Sequence, residues 1–529
     1  MADKRDRQNI DFSFGVHPTR REFLTYIGAL LAASACGNEH GGSSTTPPPP
    51  APPIATDPFT IGVASGDPLP DSVILWTRLA PDPIHDGGMP DEDVPVIWEV
   101  SLTPEFLKLV DSGWLYASSE FAHSVHIDVQ GLEPDTVYYY RMRVGEQWTS
   151  PTGRTRTLPA PDSSPESFRV ALASCQNYRQ GYYNAHRFLA QEDVDLVFFV
   201  GDYIYESGIG EDDVRQHEAN GPTDLPGYRN RYAYYKSDPD LLNAHLQFPW
   251  VTTWDDHEVA NNYAGLHLND DPEEVVLARR RAAYQAYYEH LPLRVSIPDD
   301  FGYLTIYRSF EVGDLAAVSV LDTRQYRDDQ PCDDRIGVPC AEANDPDRTI
   351  LGAEQKQWLK QRLSGADKIW NVIAQQVVFA PIRFNGRLLN ADQWDGYAVE
   401  RQEMLDELGK YRNTIVLTGD IHAAAFAALQ ADATRESETI AFEVVGTSIS
   451  SGGDLPLDAI LRPLLPQNPH IRYLNASKRG YAVCEFGRET FRVQYRVVDT
   501  VLAPGGNLST DAQFSVDRAT LAYVNELED

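Results

Sequence analysis

From about residue 58 to 158, apolar and polar positions alternate in short runs. "SVILWTRL", "VPVIWEVS", "AHSVHIDV" and "TVYYYRMRV" put every second residue on one face, the period of a half-buried strand. "GLEPDT", between the last two, carries turn residues. No helix of ordinary length interrupts them, and "TPEFLKLV" holds at most a turn. Residues 58–158 therefore predict a small β-sandwich, followed by a linker at "LPAPDSSPES".

The pattern then changes. "FRVALASC" and "VDLVFFVGD" are continuous apolar runs ending in polar residues, as buried strands do. "YYNAHRFLAQ", "VVLARRRAAYQAYYEHL" and "GAEQKQWLKQRLSG" have helical spacing, while "LAAVSVLDT", "IWNVIAQQ" and "NTIVLTGD" read as strands. The terminal "SVDRATLAYVNELE" predicts an amphipathic helix. Strands alternating with helices predict a layered α/β domain over 165–529. No internal repeat is evident.

Composition bounds what such a chain can do. A length of 529 residues suits two or three domains, and 42% hydrophobic residues with 27 Tyr and 20 Phe can fill a large core. The formal net charge of -33 repels phosphodiester backbones, which excludes stable nucleic-acid binding. A small anionic substrate would need local positive charge from metals or placed arginines.

The first 36 residues predict an address rather than a fold. "TRREFLTYIGALLAASAC" sets Arg20 and Arg21 before a short apolar run ending in small residues, as in a twin-arginine export signal. The run is too short for a membrane span, which needs about 20 residues. Cys36 follows Ala33, Ser34 and Ala35, part of a lipoprotein cleavage box without its usual bulky residue. Membrane attachment is expected only if Cys36 is lipidated. Residues 37–57, rich in Gly, Ser, Thr and Pro, read as a tether. In an exported protein, Cys332 and Cys340 flanking "DDRIGVP" predict a local disulfide. Cys484, in the strand-like "GYAVCEF", reads as a small buried apolar residue.

Candidate chemistry gathers where strands end. "VALASCQN" ends at Cys175, and "LVFFVGDYIYE" at Asp202 with Tyr205 just beyond. "FPWVTTWDDHEVANN" ends in Asp255, Asp256, His257, Asn261 and Asn262, and "TIVLTGDIHA" in Asp420 and His422. Alone, a strand-end Asp is more often a turn former or helix cap, and a strand-end Cys is more often buried packing. Together they differ, because side chains beyond the carboxyl ends of strands converge in one crevice. Charges this dense need cations to compensate them, so a multinuclear metal site is predicted.

At these residues the chain resembles a known family. "GDYIYE", "TWDDHEVANN" and "TGDIHA" are similar to the three metal blocks of PhoD-type alkaline phosphatases. "GVASGDPLPDSVILWTRL" resembles that family's N-terminal domain, and "SCQ", "RAAYQAYYEHLPLR", "LDTRQYR" and "TSISSGG" fit as well. The resemblance implies a purple-acid-phosphatase-like metallophosphoesterase: an N-terminal β-sandwich, then a four-layer α/β/β/α domain with two mixed sheets. It also implies one iron(III) with calcium ions. Carried over by position, Cys175, Asp202, Tyr205 and His422 would surround iron, and Asp202 would bridge to calcium. Asp255, Asn262 and Asp420 would bind calcium, with Asp256 an alternative. The donor types agree: thiolate, phenolate and imidazole suit a transition metal, and carboxylate and amide oxygens suit calcium. His257 and Glu258 fall where relatives keep a pair supporting the ligands. Gln375 and Gln376 fall where many relatives place another metal histidine, a departure that suits a calcium-containing centre.

The expected function is an exported alkaline phosphatase, periplasmic or secreted and monomeric. It would pass folded through the twin-arginine machinery and act on small phosphate esters, both monoesters and diesters. A metal-activated hydroxide or oxide would attack in line. From "ARRRAAYQAYYEH", Arg280 is the first candidate for a phosphate clamp and Arg279 the second, with His257 also placed in catalysis. No activated Ser or Thr nucleophile is evident, and "TSISSGG" reads as a loop at the pocket edge. Three rivals stand beside this reading: a phosphodiesterase or phospholipase D of the same fold, a non-catalytic exported calcium- and glycan-binding protein, and a dinuclear zinc or manganese hydrolase.

Overall fold

The computed structural model describes residues 47–527, except 211–212, 218–219, 336–339, 366, 386 and 453–460. The predicted export signal, Cys36 and the tether up to residue 46 lie outside the described residues.

Among the described residues, two large sheets pack face to face. The first has ten strands in the order Tyr523–Asn525, Leu508–Asp517, Thr490–Val498, Arg479–Gly487, Ser167–Ala173, Leu196–Val200, Pro249–Thr253, Val63–Gly66, Ser72–Arg78 and Ser124–Gln130. The second has seven: Arg308–Val312, Ala316–Val320, Trp370–Ala374, Thr414–Thr418, Thr439–Val445, Ala424–Gln430 and Ile471–Asn475. Both mix parallel and antiparallel neighbours. The central strands are buried on both faces, which explains their unbroken apolar runs.

Three cores follow from this layering. Val170, Leu172, Phe198 and Val200 meet Val318, Val372, Phe426 and Phe442 between the sheets. The outer face of the first sheet packs on helices α1 (Asn184–Leu189), α2 (Leu225–Lys236), α3 (Pro239–Gln247) and α4 (Glu273–His290), through a core with many tyrosines. The outer face of the second packs on α5 (Gly352–Gly365) and α6 (Ala398–Leu408). Local chemistry starts two of these helices. Asp224 accepts from the Gly227 N–H ahead of α2, and Asp238 accepts from Asp240 and Leu241 ahead of α3, with Pro239 in the first turn.

The N-terminal strands form a sandwich, and half of it is shared. Val94–Ser101, Leu109–Ala117, Val137–Val144, Trp148–Thr149 and Gly153–Arg156 make a five-stranded sheet. The opposing layer is the end of the ten-stranded sheet, where Val63–Gly66 pairs in parallel with Pro249–Thr253. Val73, Leu75 and Ile127 face Trp98, Tyr140 and Met142 across this core. The tether predicted for 37–57 ends against the same core: Ile54 is buried, and its carbonyl accepts from Trp148 Nε1 at 3.1 Å.

The predicted C-terminal helix is corrected. The segment "AQFSVD" belongs to strand Leu508–Asp517, with a turn at 518–522 and a second strand at Tyr523–Asn525. Alternating burial of Ala512, Phe514 and Val516, and pairing with Thr490–Val498, overrule the helical spacing. Cys332 and Cys340 are joined by a disulfide, and Cys484 is buried in its strand. No described helix is long and apolar enough to cross a membrane.

Candidate metal centre

Ser167–Ala173, Leu196–Val200 and Pro249–Thr253 are parallel neighbours, so their carboxyl ends share one edge of the first sheet. Thr414–Thr418 delivers its carboxyl end from the second sheet. Glycines let the ends close in. A Cβ on Gly419 would lie 2.6 Å from Ser174 Oγ, and one on Gly201 (φ +107°) 2.4 Å from Asp255 Cβ.

At this edge the backbone is left-handed at Cys175 (φ 57°), Asp202 (φ 58°), Asn262 (φ 57°), Asp420 (φ 65°) and His422 (φ 54°). Such conformations are unfavourable outside glycine and persist where surrounding structure imposes them, often at functional sites. Cys175, Asp202, Asp420 and His422 lie two to four residues past their strand ends, and Asn262 lies farther along the loop after Pro249–Thr253.

The donors converge. Ligand atoms of Cys175, Asp202 and His422 lie within 4.8 Å of one another, as do those of Asp202, Asp256 and His257, and of Asp255, Asp256 and Asp420. The Tyr205 hydroxyl donates to Asp202 Oδ2 at 2.7 Å and lies 3.0 Å from His422 Nε2. Asn262 stands beside them: its backbone N–H donates to Asp256 Oδ2 at 2.7 Å, and its side-chain Nδ2 donates to Asp334. That leaves the amide oxygen of Asn262 as the free end of the side chain.

Buried carboxyls so close together cannot all carry charge unaided. Burial, then neighbouring carboxylates, pushes Asp202 and Asp420 well above the usual range, and burial takes Asp255 up to about 6. Burial and Asp202 likewise raise the Cys175 thiol and the Tyr205 phenol. Burial also opposes charge on Asp256, but His257 and Arg324 outweigh it and hold that carboxyl below its usual value. Burial and Arg479 lower His422 to about 3, so its imidazole is neutral and able to ligate. Asp202 Oδ1 and Asp255 Oδ2 are buried without any hydrogen-bond partner. Orphaned carboxylate oxygens, a thiol, a phenol and a neutral imidazole facing one another fit hard and borderline cations.

Supporting groups surround this cluster. Glu258 accepts from the backbone N–H groups of Asp202 (3.1 Å), Tyr203 (2.6 Å) and Asp255 (2.9 Å), locking two strand ends together. His257 Nδ1 lies 2.7 Å from Glu206 Oε2, and its ring packs on Tyr205 with centroids 4.1 Å apart. Burial opposes charge on His257, but Asp256, Asp202 and Glu206 raise it well above its usual value. Ser451 Oγ, in the "TSISSGG" loop, lies 2.7 Å from both the Tyr205 hydroxyl and the Cys175 carbonyl.

Several neighbours escaped sequence reasoning. Arg324 is wholly buried: it contacts Asp255, holds Asp392 with both terminal nitrogens, and lies 3.9 Å from Asp256 and 4.0 Å from Asp420. Gln393 donates to Asp420. Glu206, Asp334, Asp392 and Gln393 stand outside the strand-end pattern, whereas "LDTRQYR" contains Arg324 within an apolar strand-to-polar transition.

The two candidate clamp arginines are engaged elsewhere. Arg280 Nη1 and Nη2 donate to the carbonyls of Gly265 (2.8 Å) and Gly302 (2.6 Å). Arg279 donates to the Tyr228 hydroxyl and the Pro222 carbonyl. Gln375 and Gln376 are buried and bonded within the fold: Gln375 to Trp394 Nε1 and the Val377 carbonyl, Gln376 to Thr323, Thr253 and the Leu321 carbonyl.

Comparison with known proteins shows the family. The family model for PhoD-like phosphatase matches residues 170–495, and that for the PhoD-like phosphatase N-terminal domain matches 44–159. The chain is 47% identical over 481 residues to alkaline phosphatase D of Bacillus subtilis (strain 168), covering 88% of this chain and 82% of that protein. A solved structure described as PhoD superposes with a TM-score of 0.86 at 44% identity, over 90% of this chain and 93% of its own. The chain belongs to the PhoD-like phosphatase family, and it is a phosphatase enzyme.

Proposed function

We propose that the protein is an exported phosphatase that hydrolyses phosphate monoesters and diesters at a mixed iron(III)–calcium centre. The observation that carries this reading is the meeting of Cys175, Asp202 and His422 beside Asp255, Asp256 and Asp420, with Asp202 Oδ1 and Asp255 Oδ2 buried and unpartnered. Iron would be held by Cys175, Asp202, Tyr205 and His422. Calcium would be held by Asp202, Asp255, Asn262 and Asp420, with Asp256 as an alternative. Bound there, the cations would compensate the carboxylates, accept phosphoryl oxygens and make a water nucleophile available near neutral pH.

The chain's own groups supply positioning and proton transfer. Glu258 fixes the ends that carry Asp202 and Asp255, and Asp334 takes the Nδ2 donor of Asn262, which leaves its amide oxygen free to ligate. Ser451 holds the Tyr205 oxygen. Glu206 occupies Nδ1 of His257, leaving Nε2 as the atom that donates a proton to the departing alkoxide. Phosphate clamping remains assigned to Arg280, then Arg279, although both guanidiniums are bonded within the fold. Residues 1–36 form the twin-arginine signal, with lipidation of Cys36 the one route to a membrane; 37–57 a tether; 58–158 the sandwich; and 165–529 the catalytic domain. The enzyme acts as a monomer in the periplasm or outside the cell.

Metal analysis of untagged protein, paired with activity after calcium removal, tests the proposal. One iron with calcium, and activity that returns with added calcium, is the expected result. Zinc or manganese in both sites, or full activity after calcium removal, would overturn it.

A further inference from the structure

A cavity of about 340 Å³ lies away from the metal cluster and shares no residue with it. It opens between the loop that carries Asp86, Gly87 and Asp91, the turn around Ser119, and the start of α2. Its inner wall includes Arg78, which is 1% exposed.

The bonding of Arg78 is incomplete. Its Nε donates to the Ala122 carbonyl at 3.1 Å, and its Nη1 donates to His290 Nε2 at 2.8 Å. Arginine has no acceptor, so His290 Nε2 carries no proton. His290 Nδ1 donates to the Ala286 carbonyl at 2.6 Å, and the ring is therefore neutral. Nη2 of Arg78 has no partner among the described residues. Gly87 lies against it without a side chain, and a Cβ there would lie 3.0 Å from Nη2.

The nearest counter-charge is already taken. Glu289 binds Arg229 through Nε (2.6 Å) and Nη2 (2.5 Å) and accepts from Gln285 at 2.9 Å. Arg229 also lines the cavity, and its Nη1 has no partner among the described residues. A buried guanidinium without a contacting carboxylate is costly, and burial lowers its pKa to about 10. Two guanidiniums thus face the cavity from inside, and the exposed carboxylates of Asp86 and Asp91 line it toward solvent.

We infer that this cavity binds a small protonated oxyanion, with inorganic hydrogenphosphate the best match. The arginines donate to its unprotonated oxygens, and the lining carboxylates accept from its P–OH group. Sulfate offers the same oxygens but no proton, so Asp86 and Asp91 repel it. The bound ion would tie the 82–91 loop to α2. This inference goes beyond the hydrolytic reaction and does not depend on which metals support it.

Calorimetric titration of the full metal-loaded enzyme with inorganic phosphate, alongside sulfate, tests the inference. Wild type should show a saturable site besides that at the metals. Arg78→Gln should weaken that site at least tenfold while hydrolysis is unchanged, and sulfate should bind it at least tenfold more weakly than phosphate. A crystal grown with phosphate should show the ion within hydrogen-bond distance of Arg78 Nη2. If Arg78→Gln does not fold, Gly87→Ala keeps the guanidinium but crowds Nη2 and should weaken the same site. Identical isotherms in wild type and the folded variant would overturn the inference. So would equal binding of sulfate, or density in the crystal without saturable binding in solution, which would mark an adventitious ion only.

Discussion

Arg324 meets Asp392 face to face, Nη1 to Oδ1 at 2.7 Å and Nη2 to Oδ2 at 2.9 Å, while its Nε contacts Asp255. This fork aligns one wall of the acidic cluster from beneath. Burial alone would lower the Arg324 pKa, but Asp255 and Asp392 outweigh it and keep the group charged.

Replacing Arg324 by Met leaves Asp255 buried without its counter-charge, while Asp392 keeps Arg327 at 3.1 Å. Breaking a buried pair in this way costs about 3–5 kcal/mol. Thermal melts should show a large drop in Tm, and metal analysis should show reduced loading. Arg324→Lys should recover only part of both, because a single ammonium cannot reproduce the two parallel bonds.

Tyr205→Phe removes the phenol that touches Asp202, His422 and Ser451. If that phenol ligates iron(III), the variant loses the visible absorption of a tyrosinate complex and loses activity with it. A colourless wild-type enzyme with full metal and full activity would refute the iron assignment.

Glu258→Gln replaces a carboxylate oxygen with an NH₂ group that faces backbone N–H donors. Three buried donors from Asp202, Tyr203 and Asp255 compete for what remains. A loss of roughly 2–4 kcal/mol is expected in urea unfolding, since unsatisfied buried donors carry their full desolvation penalty.

Lys236 is buried, with its ammonium nitrogen 4.2 Å from the Trp76 ring centre and 3.4 Å from the Tyr203 hydroxyl. Burial pulls its pKa from 10.5 down to about 7. Between these values the unfolded chain binds the proton and the folded chain does not. This residue's contribution to stability therefore rises with pH across that window and is flat below about 7. Lys236→Met should flatten that rise and stabilise the protein at neutral pH by an amount on the order of a few kcal/mol. Unfolding free energies of both proteins at pH 7 and pH 9.5 check this.

Arg280→Lys separates two roles for that arginine. As the assigned clamp, Arg280→Lys should raise KM for a phosphate ester, and loss of the bonds to Gly265 and Gly302 should lower Tm as well. A fall in Tm with KM unchanged would leave Arg280 a structural role alone.

The sequence by itself determined the parts whose physics is local. Period-two runs marked the N-terminal strands, unbroken apolar runs marked the central ones, and helical spacing marked α1, α4 and α5. Ligand-type residues just past apolar runs marked Cys175, Asp202, Asp255, Asp420 and His422, because a strand that ends in a polar group puts it at the sheet edge. Long-range choices were not legible. Strand Val63–Gly66 joins the large sheet by pairing with Pro249–Thr253, far away in the chain, and the last strands formed where spacing suggested a helix. Only tertiary structure decided where Arg280 and Arg324 point. Three adjacent arginines on a helix look alike in sequence, and which carbonyl or carboxylate each one meets depends on segments brought against it by folding. The same holds for Glu206, Asp334 and Asp392: a supporting group is defined by what it touches, and those contacts exist only once the sheets have packed.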